Sequence, residues 1–241
     1  MKRVVLVRPL GPRNVGSVLR AVANFGPAEV ALVRPPKPSI LIHPDFVQMS
    51  HGVENVRERV QVFATLSEAL EECTASVGFT ARARGHVELQ DWREARISIC
   101  SHAHDPRELL ALVFGSEEGG LTTEETAPLQ QLVRIPTSDE HTSINVAMTV
   151  VLVLATIFFE SAGDASADAR TPLEGRDRDF LVARAKDVLS AQAASAPARR
   201  DITAAVERVL RRAPLETRDA RGWHLLLRAL GNEKSPRDYG L

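Results

Sequence analysis

The chain has few cysteines and few aromatic residues for its length of 241 residues. Its two cysteines, Cys73 and Cys100, exclude a small fold held together by several disulfide bonds. Aromatic residues make up 5% of the chain, too few for a platform on which single-stranded bases stack. The hydrophobic content of 44% is nevertheless enough to build the core of a globular enzyme.

Long hydrophobic runs are also lacking. The most apolar segment, residues 146–159, is interrupted only by Thr149 and Thr156. It is shorter than the roughly 20 residues that a membrane-spanning helix needs, which predicts a helix of the core or of a subunit interface. The N-terminus leads directly into a short strand and shows no signal peptide, so we expect a cytoplasmic protein without a membrane partner.

The net charge of −1 favours no class of partner, but its distribution is uneven. Residues 165–241 carry 15 Lys or Arg and 11 Asp or Glu, a net charge of +4, which leaves −5 for residues 1–164. The arginines of this tail could contact phosphates or lie on a solvated helix face. They are Arg199, Arg200, Arg208, Arg211, Arg212, Arg218 and Arg221.

Apolar strand patterns alternate with helical patterns through the first two thirds of the chain. This alternation predicts an α/β fold with a mostly parallel sheet and helices on both faces. A small, polar stretch then predicts a linker over 161–170 between a domain of residues 1–160 and a helical extension of residues 171–241. The predicted strands are Val4–Val7, Val30–Val33, Gln61–Phe63, Ser76–Thr80, Leu109–Phe114 and Leu132–Ile135, and the predicted tail helices are Phe180–Ala191, Ile202–Arg211 and Trp223–Leu230, with Pro197 and Pro214 as breaks.

Three polar segments, of which the first two contain glycines, lie where a strand pattern gives way to a helical one: 14–26, 114–121 and 135–145. The first places Arg20 in the first turns of a helix. The second can present bare backbone to a ligand at its glycines, and Thr122 and Glu125 after it have capping-box spacing. The sequence therefore predicts an enzyme site built from loops at one edge of the sheet.

Particular residues in these segments resemble the motifs of a known enzyme family. Asn14-Val15-Gly16-Ser17-Val18-Leu19-Arg20, Phe114-Gly115-Ser116-Glu117-Glu118-Gly119-Gly120-Leu121 and Ile135-Pro136 with Ser143-Ile144-Asn145-Val146-Ala147-Met148 resemble the three motifs of the SpoU/TrmH branch of SPOUT RNA methyltransferases. The likeness is closest to the TrmJ type, which methylates a ribose 2′-hydroxyl of the tRNA anticodon loop at position 32. It covers residues 3–160 and, weakly, the tail.

The resemblance implies a C-terminal trefoil knot in the SPOUT domain, a homodimer and bound S-adenosylmethionine. By the family pattern, eight residues surround this cofactor: Phe79, Thr80, Ala81, Gly115, Ile135, Thr142, Ser143 and Ile144. Arg82 and Arg84, which alternate with alanines along a segment predicted to be extended, are the expected RNA contacts, although both could be ordinary surface arginines.

Five residues are expected to carry the reaction: Arg20, Asn14, Glu117, Ser143 and Asn145. Arg20 matches the arginine of the first motif, and its guanidinium suits stabilisation of a developing alkoxide better than proton abstraction. Asn14 can orient the loop before Arg20. Glu117 could be purely structural, and Ser143 or Asn145 could instead cap the following helix.

Alternatives remain open. Ser116 and Glu118 stand where tRNA enzymes of this type more often have arginine, so ribosomal RNA is an alternative substrate. A non-catalytic RNA-binding protein that keeps the fold is a second alternative. His102 and His104 show no partners for a metal site, and we expect them in a solvent-exposed loop and no metal in the protein.

Overall fold

The computed structural model describes residues 1–83, 88–160 and 171–241. They belong to two compact units, Met1–Ser166 and Ala167–Leu241. The predicted linker, residues 161–170, lies outside the described residues. The first unit contains strands β1 (Lys2–Val7), β2 (Ala28–Val33), β3 (Gln61–Phe63), β4 (Ala75–Phe79), β5 (Leu89–Asp91), β6 (Leu110–Phe114) and β7 (Gln131–Arg134) and helices α1 (Pro12–Asn24), α2 (Pro44–Met49), α3 (Glu54–Arg57), α4 (Leu66–Leu70), α5 (Trp92–His104), α6 (Thr123–Thr126) and α7 (Val146–Phe159).

The seven described strands form one sheet in the order β3-β2-β1-β6-β4-β7-β5, and each pairing among them is parallel. All their carboxyl ends therefore meet at one edge of the sheet. The loops after β1, β6, β4 and β7, four neighbours in the sheet, lie side by side at this edge. The α/β fold with a parallel sheet is confirmed, while the trefoil knot stays a prediction.

Helices cover the sheet on both faces, because the strands are apolar on both sides. One face packs against α1, α5 and α7 through Val15, Leu19, Ile99 and Val150. The other packs against α4 and the segments on either side of α6 through side chains such as Leu70, Leu121 and Leu129. Strand β5 was not predicted, because its three residues include a single apolar side chain, too short a run to give a strand pattern.

Helix α7 has the bounds of the apolar segment recognised in the sequence. Its buried side chains include Val150, Val153 and Ile157, whereas Met148, Phe158 and Phe159 are exposed. No helix among the described residues is long and apolar enough to cross a membrane. One side of α7 thus belongs to the core, and another side presents apolar groups at the surface.

The second unit contains α8 (Gly175–Ala191), α9 (Ala196–Arg212) and α10 (Thr217–Ala229), followed by a short 3-10 helix at Pro236–Tyr239. Leu181, Val206 and Leu227 contribute to its own hydrophobic core. Pro214 lies between α9 and α10 as predicted, whereas the break between α8 and α9 comes just before Pro197. Pro197 lies in the first turn of α9, where the amide hydrogen that proline lacks has no intrahelical partner anyway.

Candidate active site

A cavity of about 280 Å³ opens at the carboxyl edge of the sheet, among the loops after β4, β6 and β7. Its walls combine apolar side chains at the strand ends with polar groups from the loops. The lining residues are Phe79, Thr80, Ala81, Arg82, Phe114, Gly115, Ser116, Glu117, Glu118, Gly119, Gly120, Val133, Ile135, Thr142, Ser143, Ile144, Asn145, Val146 and Thr149. All eight residues expected around a cofactor are in this set, and their binding role stays a prediction.

The loop after β6 folds tightly onto itself. The backbone N–H of Gly120 donates to the carbonyl of Ser116 at 2.8 Å, and Gly120 has a left-handed φ of 64°. A Cβ placed on Gly115 would lie 2.1 Å from the carbonyl carbon of Gly120, so only glycine fits at position 115. The glycines of the second motif therefore shape the loop itself, and they leave its backbone accessible to the cavity.

A chain of hydrogen bonds joins the three motif segments. The Asn14 amide nitrogen donates to Glu117 Oε1 at 2.9 Å, and the Asn145 amide nitrogen donates to Asn14 Oδ1 at 3.1 Å. Asn14 uses both its amide donor and its amide acceptor, whereas an ionised carboxylate at this position could only accept. Segments about 100 residues or more apart in sequence are held at fixed distances around the cavity.

Glu117 binds the loop after β1 with both carboxylate oxygens. The backbone N–H of Gly11 donates to Oε1 and that of Leu10 donates to Oε2, each at 2.9 Å. Burial raises the pKa of Glu117, but the hydrogen bonds from Asn14, Leu10 and Gly11 outweigh burial and hold this pKa below its ordinary value. Glu117 is therefore ionised at neutral pH and holds the loop after β1.

Asn145 has two roles at once. Its Oδ1 accepts hydrogen bonds from the backbone N–H groups of Ala147 and Met148, at 2.9 and 3.3 Å, and so caps α7. Its amide nitrogen donates to Asn14 Oδ1, so the same side chain caps α7 and joins the third motif segment to the first. The alternative that Ser143 caps this helix is wrong, since Asn145 is the N-cap, and Ser143 is an exposed residue of the cavity wall.

The predicted arginines have different positions. Arg20 lies in the third turn of α1, later than expected because this helix begins at Pro12, and it is exposed and outside the cavity lining of its own chain. Arg82 lines the cavity in a bend instead of the extended segment expected, since the Thr80 hydroxyl bonds to both its backbone N–H and its carbonyl. Arg84 lies outside the described residues.

The structure corrects two further expectations. Arg211 of the tail is largely buried and pairs with Asp179 and Glu207 at 2.5 and 2.7 Å, so these carboxylates neutralise its charge. His102 and His104 lie in the last turn of α5 instead of a loop, and His102 pairs with Glu108. Within the described part of the chain, no three His, Cys, Asp or Glu side chains form a group that could hold a metal ion.

An arginine that was not predicted supports the loop after β6. Arg8 follows β1 directly and binds Glu125 through Nε at 2.6 Å and Nη2 at 3.0 Å, and Nη2 also donates to the carbonyl of Gly120 at 3.1 Å. The predicted capping box of Thr122 and Glu125 is confirmed. The buried Glu125 carboxylate therefore caps α6 and anchors Arg8, and only the first of these roles has a recognisable sequence pattern.

The cavity, built from loops on a parallel α/β sheet, agrees with the protein family to which the chain is related. A model of the SpoU rRNA methylase family matches residues 1–155, and the chain belongs to this family. The resemblance found in the sequence is thereby confirmed.

Relatives within the family carry the name TrmJ. The chain is 38% identical to the tRNA (cytidine/uridine/adenosine-2′-O-)-methyltransferase TrmJ of Pseudomonas aeruginosa over 61% of its length, spanning 56% of that relative. It is 35% identical to the tRNA (cytidine/uridine-2′-O-)-methyltransferase TrmJ of Cronobacter sakazakii, with coverage of 73% and 69%. The crystal structure of TrmJ from Z. mobilis superposes with a TM-score of 0.78 at 23% identity, covering 96% of this chain and all of that one, which shows a shared fold.

Proposed function

We propose that the protein transfers a methyl group from S-adenosylmethionine to a ribose 2′-hydroxyl of tRNA. The observation that carries this proposal is the hydrogen-bonded chain from Glu117 through Asn14 to Asn145, which assembles all three motif segments around one cavity. The names of the relatives from Pseudomonas and Cronobacter both support cytidine or uridine of tRNA as the target, and the Pseudomonas name adds adenosine.

The cavity has the chemical character that S-adenosylmethionine requires. Its volume is near the lower end of the range for small-ligand pockets, about 300–1,000 Å³. Phe79, Val133 and Ile144 offer apolar contact to an adenine ring, and the hydroxyls of Thr142 and Ser143 with the loop backbone offer hydrogen bonds. When bound, the cofactor supplies an electrophilic methyl group on a sulfonium.

Arg20 is the residue to which we assign stabilisation of the attacking 2′-oxygen. A guanidinium stays protonated at neutral pH, so Arg20 can favour the developing alkoxide but cannot accept its proton, which passes to an RNA phosphate. Arg20 lies outside the cavity of its own chain. In a homodimer, we expect Arg20 of one copy to reach the cofactor site of the other copy.

An exposed apolar surface on α7 supports a homodimer. Met148, Leu152, Phe158 and Phe159 are between 41% and 73% exposed, and Phe25 packs edge-to-face against both phenylalanines at the end of α7. Apolar patches of this kind mark interfaces in proteins without a membrane span. Helix α1, which carries Arg20, packs against α7, so an interface through α7 lies close to Arg20.

Ribosomal RNA is the second candidate substrate. The family description names rRNA, and Ser116 and Glu118 place no positive charge in the loop after β6. Arg82, exposed on the cavity wall, is the RNA contact we assign within the described part of this wall. An assay with tRNA and ribosomal RNA from cells that lack this protein, followed by mapping of 2′-O-methyl groups, decides between the two substrates.

The test of the function combines calorimetry with a methyl-transfer assay. We expect the purified dimer to bind S-adenosylmethionine at micromolar concentrations and to methylate tRNA. Arg20→Ala should retain cofactor affinity and lose about 10²- to 10³-fold in transfer rate, the effect typical of removing one group that stabilises an oxyanion. Arg59→Ala, an exposed arginine at the opposite edge of the sheet, is the control.

Two results would contradict the proposal. A folded dimer that does not bind S-adenosylmethionine would favour the non-catalytic RNA-binding alternative. Full turnover by Arg20→Ala would remove Arg20 from the mechanism, and sedimentation as a monomer would remove the proposed route from Arg20 to the cavity of a second copy.

A further inference from the structure

The tetrapeptide Leu-Val-Arg-Pro occurs twice, at residues 6–9 and 32–35. The two copies end β1 and β2, which are neighbours in the sheet. Each arginine extends the ladder by one hydrogen bond, from Arg8 N–H to the carbonyl of Val33 and from Arg34 N–H to the carbonyl of Phe63. The chain therefore leaves the sheet in the same way at two adjacent positions of its carboxyl edge.

Both arginines have a left-handed backbone. Their φ angles are 51° for Arg8 and 46° for Arg34, and these are the non-glycine residues with positive φ in the described part of the chain. A side chain that is not Gly, Asn or Asp rarely adopts this conformation, and a following proline restricts the backbone further. Such strain persists where surrounding contacts enforce it, and it is concentrated at functional sites.

The two guanidinium groups share one carboxylate. Arg8 binds both oxygens of Glu125, at 2.6 and 3.0 Å, while Arg34 Nη2 lies 3.4 Å from Oε1. Glu125 also accepts from the backbone N–H of Thr122. The Glu125 side chain is 5% exposed and that of Arg34 is 56% exposed, so the excess positive charge of the pair faces solvent. Because Arg8 and the backbone N–H of Thr122 already hold Glu125 in place, Arg34 is not needed for this purpose.

The pair lies beside the cavity. Arg8 donates to the carbonyl of Gly120, which lines the cavity on the side of β6. Arg34 follows β2, two strands from β6, which places it about 10 Å along the sheet edge from that loop at the usual strand spacing. Arg82, after β4, lies on the other side of the loop. Positive side chains thus flank the cavity along the edge of a domain with net negative charge.

We propose that Arg34, held beside Arg8 by Glu125, binds a phosphate of the RNA strand next to the nucleotide that enters the cavity. This inference rests on the proposed function for its substrate. Phosphate contacts by arginine fix the register of a nucleic acid without reading its sequence. Because residues 1–164 carry a net charge of −5, the overall field of this region does not attract RNA, and local arginine groups must supply the attraction.

Arg34→Asn is the variant that tests this site. Asparagine tolerates a left-handed backbone, so the substitution removes the guanidinium without adding strain. The probe is an unmodified tRNA transcript, titrated against the wild-type dimer, Arg34→Asn and the matched control Arg59→Asn at several salt concentrations. We expect Arg34→Asn to bind about three- to fivefold more weakly. Its plot of log affinity against log salt should be less steep by about 0.7 to 0.9, the effect of one lost phosphate contact.

Thermal stability and cofactor affinity separate this role from a structural one. Arg34→Asn should melt no lower than the wild type and bind S-adenosylmethionine as the wild type does, and Arg59→Asn should match the wild type in RNA binding. An unchanged salt slope for Arg34→Asn would overturn the inference, and so would a joint loss of stability and cofactor affinity. A wild-type dimer that binds the transcript but transfers no methyl group would overturn the proposed function instead, because the salt slopes do not depend on catalysis.

Discussion

Strand β1 has an arginine near each of its ends, and the two have opposite surroundings. Arg3, at the amino edge of the sheet, is 2% exposed and pairs with two carboxylates, Glu29 at 2.6 Å and Glu72 at 2.7 Å. It also donates to the carbonyl of Ala69 and lies over the ring of Phe63. Arg8, at the carboxyl edge, shares a single carboxylate with Arg34 and has a strained backbone.

The two edges of the sheet therefore differ in how their arginines are bound. At the amino edge, two carboxylates surround one guanidinium, and this guanidinium is too deeply buried to contact a ligand. At the carboxyl edge, Arg8 and Arg34 outnumber the single carboxylate of Glu125 that they share, and the cavity opens between the loops. We therefore expect substitutions at the amino edge to change stability and substitutions at the carboxyl edge to change binding or catalysis.

The largest expected effect on stability is at Arg3. Arg3→Ala should lower the free energy of unfolding by about 3 kcal/mol, the lower end of the range for breaking a buried ion pair, because Glu29 and Glu72 can still reach water. Arg3→Met fills the same space with apolar atoms and should lose less. Urea denaturation measures both variants. A loss below 1 kcal/mol for Arg3→Ala, or a specific loss of cofactor affinity in the variant that still folds, would break the comparison of the two edges.

Much of the fold could be predicted because its signals are local. Apolar runs predicted six of the seven described strands to within two residues at each end, and the bounds of α7 follow from composition alone. Strand β5 escaped prediction because pairing with β7 defines it, and Leu89-Gln90-Asp91 has no strand pattern of its own. The strand order also depends on contacts between distant segments, and no local pattern encodes it.

In the candidate site, too, contacts between segments that are distant in sequence could not be predicted. The motifs predicted the residues that line the cavity, but the hydrogen bond between Asn14 and Asn145 joins residues 131 positions apart. Arg8 and Arg34 were missed because an arginine before a proline has no pattern that distinguishes it from a surface residue. Their left-handed backbone and shared carboxylate are visible only in the folded chain.

At the carboxyl edge, substitutions of Asn145 should affect stability less than Arg3→Ala does, and they distinguish a role in stability from a role in catalysis. Asn145→Ala removes the cap of α7 and should cost about 1 kcal/mol of stability. It also breaks the bond to Asn14, and misplaced loops should lower methyl transfer about ten- to hundredfold. Asn145→Asp keeps a capping oxygen but cannot donate to Asn14 Oδ1, so it should restore stability without restoring transfer. Recovery of both properties in Asn145→Asp would show that Asn145 acts only as a cap.

The smallest expected effect is a pH dependence at Glu117. The folded state lowers the pKa of this carboxyl group, so the ionised form stabilises the protein above the ordinary glutamate pKa, and this contribution is lost as pH falls through the lowered value. Glu117→Gln lacks the charge at every pH. The wild type should therefore be more stable than Glu117→Gln at pH 7, by up to about 1 kcal/mol, and this advantage should disappear as the pH falls below about 4.

Melting temperatures of both proteins between pH 7 and pH 3 measure this advantage. Asn14→Ala provides a second control, because it removes the hydrogen bond that does most to lower the pKa of Glu117. Without this bond the acid-dependent loss of stability should begin at a higher pH than in the wild type, while Leu10 and Gly11 still bind the carboxylate. Parallel curves for wild type and Glu117→Gln would mean that the charge of Glu117 does not hold the loop after β1, and that a neutral acceptor at this position is sufficient.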